Sequence, residues 1–318
     1  MTDGLDHIRF DGRPAVVMPR PRCRTRLSSS AAQPAAARSS ELPGQLIPWV
    51  FFRAGLAAES YRGEPLGRRL SACLRAVHAN SEAQARKILE QRPELLPAAV
   101  NSLLIGVTDF FRDAPVFDAL RREVLPRLAS HRRPLRIWSA GCASGAELYS
   151  VAILLAEAGL LEGSFLFGTD CRCDAIQCAR TASYRSSELR NIKPADQGRY
   201  FDEVGGSWRP IEPLRRQTRW QVADLSRCIE PGPWDIILWR NMAIYLRADA
   251  AASMWRGLAS VLAPQGVLVV GKAERPPIEL PLIGMKKCMY CAGDGPLAPR
   301  ALRRPTRLGT SQVPERCV

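Results

Sequence analysis

Apolar positions between residues 48 and 106 recur at intervals of three or four, which is the spacing of one helix face. The pattern is clearest at Leu66, Leu70, Leu74 and Val77, which fall on the same face. It predicts a small all-helical domain over residues 45–106. The predicted helices are Pro65–His78, Ser81–Gln91 and Leu95–Ile105.

From residue 135 onward, short apolar runs of strand length alternate with helical segments. Such alternation predicts a mostly parallel, doubly wound (Rossmann-like) α/β sheet over residues 107–293. Residues 200–216, which hold two glycines and two prolines, predict a short inserted β-hairpin. Pro264 and Gly266 predict a helix end and a turn into the next strand. The predicted strands are Arg136–Ala140, Phe165–Thr169, Arg219–Val222, Ile236–Leu238, Val267–Val270 and a last one near Met285–Cys291.

The chain of 318 residues has a formal net charge of +14, and arginines near both ends supply much of it. Residues 1–44 and 294–318 are predicted to be disordered basic tails. Such tails either bind an acidic partner or are only solvated, and the sequence leaves both open. No apolar run of about 18 residues predicts a membrane span, and no secretory signal is recognisable, so we expect a cytoplasmic protein.

Cys288 and Cys291 have the spacing of a zinc or redox pair. No second cysteine pair or histidine cluster accompanies them, and they lie in a strand-like run. A structural role is therefore favoured, and no metal site is predicted.

The segment Arg136–Tyr149 combines an apolar strand, a loop of small residues at Gly141–Gly145 and a helix with Glu147 in its first turn. Small residues let a ligand approach the backbone, and a helix start offers unpaired N–H groups. This layout predicts a nucleotide-like site at the carboxyl end of the first strand.

Two further strand ends carry polar groups. Asp170 ends the second strand, where an acidic residue commonly accepts the ribose hydroxyls of a nucleoside; capping of the next helix is the alternative. Arg240 and Asn241 end the fourth strand, and Tyr245 follows four residues later. The glycine loop has neither the dinucleotide fingerprint nor a P-loop lysine, which disfavours dinucleotides and ATP.

Four segments in fixed order carry a more specific signal. Together they resemble the class I S-adenosylmethionine methyltransferases and, more narrowly, the CheR-type glutamate O-methyltransferases of bacterial chemotaxis receptors. The resemblance covers about Tyr61 to Tyr290 and implies S-adenosylmethionine as the methyl donor. The segments are 107–113 (VTDFFRD), Ser139–Ser150, Tyr184–Phe201 and Trp234–Leu246.

The resemblance also implies roles for single residues. Thr108 and Arg112 would contact the cofactor ahead of the sheet, and Arg112 would also lie near the methyl-transfer centre. Glu147 would contact the cofactor at the first loop, and Asp170 would bind the ribose. Tyr245 would lie beside the donor methyl, which makes it, with Arg112, a candidate catalytic residue. The other implied cofactor-binding positions are Gly106, Gly141, Asp224 and Leu225 beside the adenine, and Arg240 and Asn241 at the methionine end.

The chain departs from the family pattern in several places. Gly106 and Asp224 stand where the family has Asn, and Lys272 stands where it has His. Ala146 and Leu148 replace the Glu and Pro of the usual helix start. The insertion is short and contains proline, so docking of a receptor pentapeptide is not expected.

The expected partner is a receptor-type protein whose helices expose methylatable glutamates. A glutamate carboxylate is ionised at neutral pH, since its ordinary pKa is about 4.3, so no general base is needed. The enzyme would mainly align the acceptor and exclude water, with Arg112 pairing with the acceptor carboxylate. Arg68, Arg69 and Arg75 would offer such helices a positive face.

Two alternatives stay open. The departures from the pattern suit a non-catalytic cofactor-binding or scaffold module. The basic charge suits a nucleic-acid methyltransferase, although Asn241 lacks the Pro-Pro-aromatic run that grips a flipped base, and the charge lies in tails. Nucleic acid is therefore the less favoured partner.

Overall fold

The computed structural model of the protein describes residues 44–104, 106, 108–130 and 134–293. Nearly all of both predicted basic tails therefore lies outside the described residues. The helices are α1 Leu46–Arg53, α2 Gly63–Gly67, α3 Leu70–Ala76, α4 Glu82–Gln91, α5 Leu96–Leu103, α6 Ala114–Ala119, α7 Leu125–Ala129, α8 Ala146–Glu157, α9 Cys173–Thr181, α10 Pro194–Tyr200, α11 Glu212–Arg216 and α12 Ala248–Ser260. The strands are β1 Arg136–Ala140, β2 Phe165–Asp170, β3 Phe201–Val204, β4 Ser207–Pro210, β5 Thr218–Val222, β6 Trp234–Trp239, β7 Leu262–Val270, β8 Leu282–Lys286 and β9 Met289–Ala292.

Helices α1–α5 form the N-terminal part of the described chain. The predicted helix Pro65–His78 is in fact two helices, α2 and α3, separated by a turn at Arg68 and Arg69. Helix α4 begins as predicted, with Ser81 as its N-cap accepting a bond from the Gln84 backbone at 3.2 Å. Helix α1 was not among the predicted helices.

Seven strands form the central sheet in the order β5-β2-β1-β6-β7-β9-β8. The strands β5, β2, β1, β6 and β7 are parallel, and β9 and β8 close one edge as an antiparallel hairpin. The prediction of a mostly parallel, Rossmann-like α/β sheet is thus confirmed. Strand β6 is buried along its whole length, as expected for an inner strand covered on both faces.

Two boundary predictions are wrong in detail. Helix α12 ends at Ser260, and β7 already begins at Leu262, so Pro264 and Gly266 lie inside the strand, where the pairing register shifts. The single strand predicted near residues 285–291 is a hairpin instead. Cys288 adopts a left-handed φ of +68° in its turn and is buried.

The predicted insertion contains β3 and β4, which pair with each other as an isolated two-stranded sheet. Helix α8 has buried residues on all sides, as expected for a helix between two layers, and packs against β1, β2 and α11. The N-terminal helices meet the sheet at its carboxyl edge. There Tyr61 pairs with Leu246, and the Arg62 backbone donates to the Tyr245 carbonyl at 2.9 Å.

Candidate active site

A cleft opens at the carboxyl edge of the sheet, against the N-terminal helices. Its walls come from the chain after β1, β2 and β6 and from α2 and α5. A smaller hollow beside it is lined by the chain after β5 and by α12. The structure brings all predicted site residues to these two places. The cleft is lined by Gly106, Thr108, Arg112, Gly141, Glu147, Asp170, Arg240, Asn241 and Tyr245, and the hollow by Asp224 and Leu225.

The small-residue loop after β1 turns tightly beneath the cleft. Gly141 and Gly145 have φ of +85° and +88°, which only glycine adopts without strain. A Cβ at position 145 would also lie 2.7 Å from the Trp220 ring. The backbone N–H groups of Gly141 and Cys142 donate to the Thr169 carbonyl at 2.8 and 2.9 Å, which anchors the loop to β2.

Asp170, 5% exposed, projects its carboxylate into both the cleft and the hollow. Its Oδ1 accepts the Arg172 backbone N–H and the Arg172 Nε, both at 3.0 Å. Its Oδ2 accepts the Ala143 backbone N–H at 2.9 Å and the Arg172 Nη2 at 3.3 Å. Burial alone would lower the pKa of Arg172, but the charge of Asp170 and its hydrogen bonds raise it.

Arg172 was not among the predicted site residues, yet it lies across the cleft wall. A Cβ at position 106 would lie 1.9 Å from both its terminal nitrogens. The guanidinium therefore fills the space that a side chain at Gly106 would need.

A buried ion network lies behind the cleft. Arg240, whose side chain is 2% exposed, donates to Glu147 at 2.9 Å and to Asp113 at 2.6 Å. Glu147 also accepts from the Ser139 hydroxyl at 3.0 Å, and Lys272 pairs with Asp113. Burial alone would raise the pKa of Asp113, but the Lys272 hydrogen bond and the charge of Arg240 lower it.

The loop after β6 is held by a single buried carboxylate, that of Glu274, which is 3% exposed. Its Oε1 accepts the backbone N–H groups of Met242 and Ala243 at 2.7 and 2.8 Å. Its Oε2 accepts those of Asn241 and Gly271 at 2.8 and 2.7 Å. Asn241 itself has a left-handed φ of +58°, so the carboxylate stabilises a backbone path that non-glycine residues rarely take.

Three further departures from the family pattern have a local explanation. Asp224 accepts bonds from the backbone of Ala57 at 3.2 Å and from the backbone and hydroxyl of Ser226 at 2.9 and 2.7 Å. All of these partners act as donors, which an acceptor-only carboxylate suits better than an amide. Leu148 is fully buried in the core, and Lys272, as described, pairs with Asp113.

The three arginines predicted to share one positive face do not do so. Arg68 and Arg75 are exposed, and Arg68 pairs with Glu64 at 3.3 Å. Arg69 is instead half-buried: it lines the cleft and donates to the Ser102 carbonyl at 2.9 Å. Only Arg68 and Arg75 remain on the outer surface.

Two thiols and a phenol beside Asp170 are kept protonated. Burial raises the pKa values of Cys142, Cys171 and Tyr61 above their ordinary range, and the charge of Asp170 adds to each shift. None of these groups is an activated nucleophile, because reactivity requires a lowered pKa. In the described part of the chain, no cluster of three side chains suited to a metal occurs.

Comparisons with known proteins agree with this site. The family profile "CheR methyltransferase, SAM binding domain" matches residues 106–283. The chemotaxis protein methyltransferase of Salmonella typhimurium is 31% identical over 239 residues, which cover 71% of this chain and 80% of that protein. The Escherichia coli chemotaxis protein methyltransferase is 30% identical over 239 residues, which cover 71% of this chain and 81% of that protein.

A probable biofilm formation methyltransferase of Pseudomonas putida is 31% identical over 70% of this chain and 54% of that protein. No helix among the described residues combines the length and the apolar character needed to cross a bilayer. Because the family profile covers more than half of the chain and the curated relatives match most of it, this chain belongs to the CheR methyltransferase family and is an S-adenosylmethionine-dependent methyltransferase.

Proposed function

We propose that this chain transfers the methyl group of S-adenosylmethionine to glutamate side-chain carboxylates of a receptor-type protein. The observation that carries the proposal is the convergence of residues from the ends of β1, β2, β5 and β6 and from the linker ahead of the sheet on the cleft and the adjoining hollow. Parallel sheets bind their ligands at this edge. The curated relatives, which are chemotaxis protein methyltransferases, support a chemoreceptor as the acceptor.

The residues of the cleft and the hollow fit a nucleoside-bearing donor. Gly141 has no side chain, so the donor can approach its backbone closely, and a Cβ there would also lie 3.0 Å from Met242 side-chain atoms. Asp170 would accept the ribose hydroxyls, and Leu225 with Met254 would cover the adenine in the hollow. When bound, the donor supplies an electrophilic methyl group on a positively charged sulfur.

At the other end of the cleft, Thr108, Asn241 and Glu147 would hold the methionine part of the donor. The guanidinium of Arg240 is already paired with Glu147 and Asp113. Its role in this proposal is therefore to fix the orientation of Glu147 rather than to bind the donor with its own charge.

Arg112 and Tyr245 are the proposed residues of the methyl-transfer centre, and both line the cleft. A glutamate acceptor arrives as an anion, since its ordinary pKa is about 4.3. Arg112 would hold that carboxylate by a charge-assisted hydrogen bond, and Tyr245 would pack beside the donor methyl. Rate enhancement would come mainly from alignment of the reacting atoms and from exclusion of water.

The acceptor is proposed to present acidic helices to the N-terminal helices, where Arg68 and Arg75 are exposed. We further propose that the protein works in the cytoplasm. The likeness to curated chemotaxis protein methyltransferases supports this.

The proposal is tested with donor carrying a tritiated methyl group and acceptor receptor helices, with base-labile methanol as the readout. Asp170→Asn should lower the apparent donor affinity by about tenfold or more, because a charged acceptor is lost. Label transferred to RNA, or donor binding without any methanol release, would contradict the proposed reaction.

Receptor docking is tested separately by Arg68→Glu with Arg75→Glu. We expect a lower kcat/KM for receptor helices, most pronounced at low salt, with unchanged donor affinity. Arg92→Glu is the control, because Arg92 is also exposed and pairs with Glu94 outside the cleft. Equal turnover of the double variant and the control at low salt would remove the docking surface from the proposal.

A further inference from the structure

Asp170, the proposed ribose carboxylate, is already bound by a side chain of its own chain. An ionised carboxylate offers about four acceptor positions. In Asp170 these are filled by the backbone N–H groups of Ala143 and Arg172 and by two nitrogens of the Arg172 guanidinium. No position is left for a further donor while this arrangement persists.

The two guanidinium bonds are the ones that can be released. Nε donates to Oδ1 at 3.0 Å and Nη2 to Oδ2 at 3.3 Å, one on each carboxylate oxygen. The two neighbouring hydroxyls of a ribose present the same pattern of two parallel donors. The two backbone bonds, in contrast, belong to the loop after β1 and to the chain after β2, and they persist without the arginine side chain.

We propose that Arg172 competes with the methyl donor for the carboxylate of Asp170 and thereby sets the donor affinity of this enzyme. The inference rests on the proposed role of Asp170 in ribose binding. The guanidinium leaves Asp170 when the donor binds and returns when the product leaves. Asp174, two residues further along the chain, is exposed, and its charge already raises the pKa of Arg172, so it offers the displaced guanidinium a partner.

Gly106 provides a second, independent observation. The guanidinium reaches Asp170 only because position 106 has no side chain: a Cβ there would lie 1.9 Å from Nη1 and Nη2. The backbone φ of Gly106 lies outside the left-handed region, so alanine is tolerated by the backbone itself. Gly106→Ala should therefore displace the guanidinium from Asp170 while leaving the arginine in the chain.

The test measures binding of S-adenosylmethionine and of S-adenosylhomocysteine to the full chain by titration calorimetry. Arg172→Met keeps most of the side-chain volume and removes both bonds, and it should tighten binding of each ligand by about tenfold, or about 1.4 kcal/mol. Gly106→Ala should also tighten binding, and the double variant should gain no more than Arg172→Met alone. Arg121→Met is the matched control: it breaks a 3.0 Å ion pair with Glu157 outside the cleft and should leave both affinities unchanged.

The outcomes separate the inference from the proposed function. Unchanged or weaker binding by Arg172→Met, with a wild type that binds, overturns the competition and leaves the function standing. Tighter binding of S-adenosylmethionine alone also overturns it, since only that ligand carries the sulfonium charge that Arg172 would repel. Absence of binding by the wild type and every variant overturns both.

Discussion

Replacing Glu274 with glutamine tests how much of the site depends on one buried carboxylate. The carboxylate accepts four backbone N–H groups, two on each oxygen, and joins the loop after β6 to the end of β7. Glutamine keeps one acceptor oxygen and presents an NH₂ group in place of the other. Two of the four N–H groups then face a donor.

The expected loss follows from this count. A buried donor left without an acceptor destabilises by about 1–3 kcal/mol, and hydrogen bonds to a charged group are worth about 1.5–3 kcal/mol each. The bonds share one carboxylate, so they do not add fully. We expect a loss of about 3 kcal/mol in the free energy of unfolding, a large share of the roughly 5–15 kcal/mol of a typical domain.

The assay is urea unfolding at neutral pH, combined with titration of S-adenosylhomocysteine into the folded variant. Glu279→Gln serves as the control, since Glu279 is an exposed carboxylate of the same segment. The donor affinity should also fall, because Asn241 and Met242 line the cleft and lose their fixed backbone. A loss of less than about 0.5 kcal/mol, the range of ordinary surface changes, would refute the reasoning.

Three further changes probe the surroundings of the cleft. Burial raises the pKa of Glu230, which is 2% exposed, so ionisation of this carboxyl destabilises the folded protein as pH rises above the unfolded pKa of about 4.3. In urea unfolding, Glu230→Gln should therefore gain stability relative to wild type as pH rises above that value. Because the pKa of Asp113 is lowered, its ionised carboxylate stabilises the folded protein above about pH 3.9, and this stabilisation is lost as pH falls through the folded pKa. Lys272→Met removes one of the charges that pair with Asp113 and should lower the free energy of unfolding by about 0.5 kcal/mol at low salt. In acid, the variant and the wild type should be equally stable. Gly145→Ala should destabilise by about 2 kcal/mol in thermal unfolding, through its φ of +88° and the 2.7 Å approach to Trp220, and an unchanged melting temperature would contradict this.

The sheet and the outline of the site were predictable because both depend on local pattern. Strand β1 begins and ends at the predicted residues, and the apolar cores of β2, β5 and β6 lie within one or two residues of the prediction. Each residue at a strand end was placed correctly, since parallel strands bring their carboxyl ends to one edge. Helix α1 was missed because it has eight residues and contains Pro48, so its periodicity is short.

The parts that could not be predicted are contacts between distant segments. Arg69 has the sequence surroundings of an exposed arginine, and only the position of α5 turns it towards Ser102 and the cleft. Glu274 lies two residues after Lys272, one of the departures from the family pattern, but the four partners of its carboxylate come from two loops about 30 residues apart. Neither arrangement leaves a periodic or local signal in the sequence.

Gly106 and Arg172 show how two residues that are distant in the sequence can form one feature. Taken alone, Gly106 suggests a lost cofactor contact, and Arg172 is an ordinary arginine after a strand. The structure couples them, because the guanidinium occupies the space above Gly106 and reaches Asp170 through it. A side chain restored at position 106 alone would therefore not restore a simple donor contact, since it would first have to displace the guanidinium of Arg172. Because the two residues occupy one space beside Asp170, substitutions at either position have to be interpreted together.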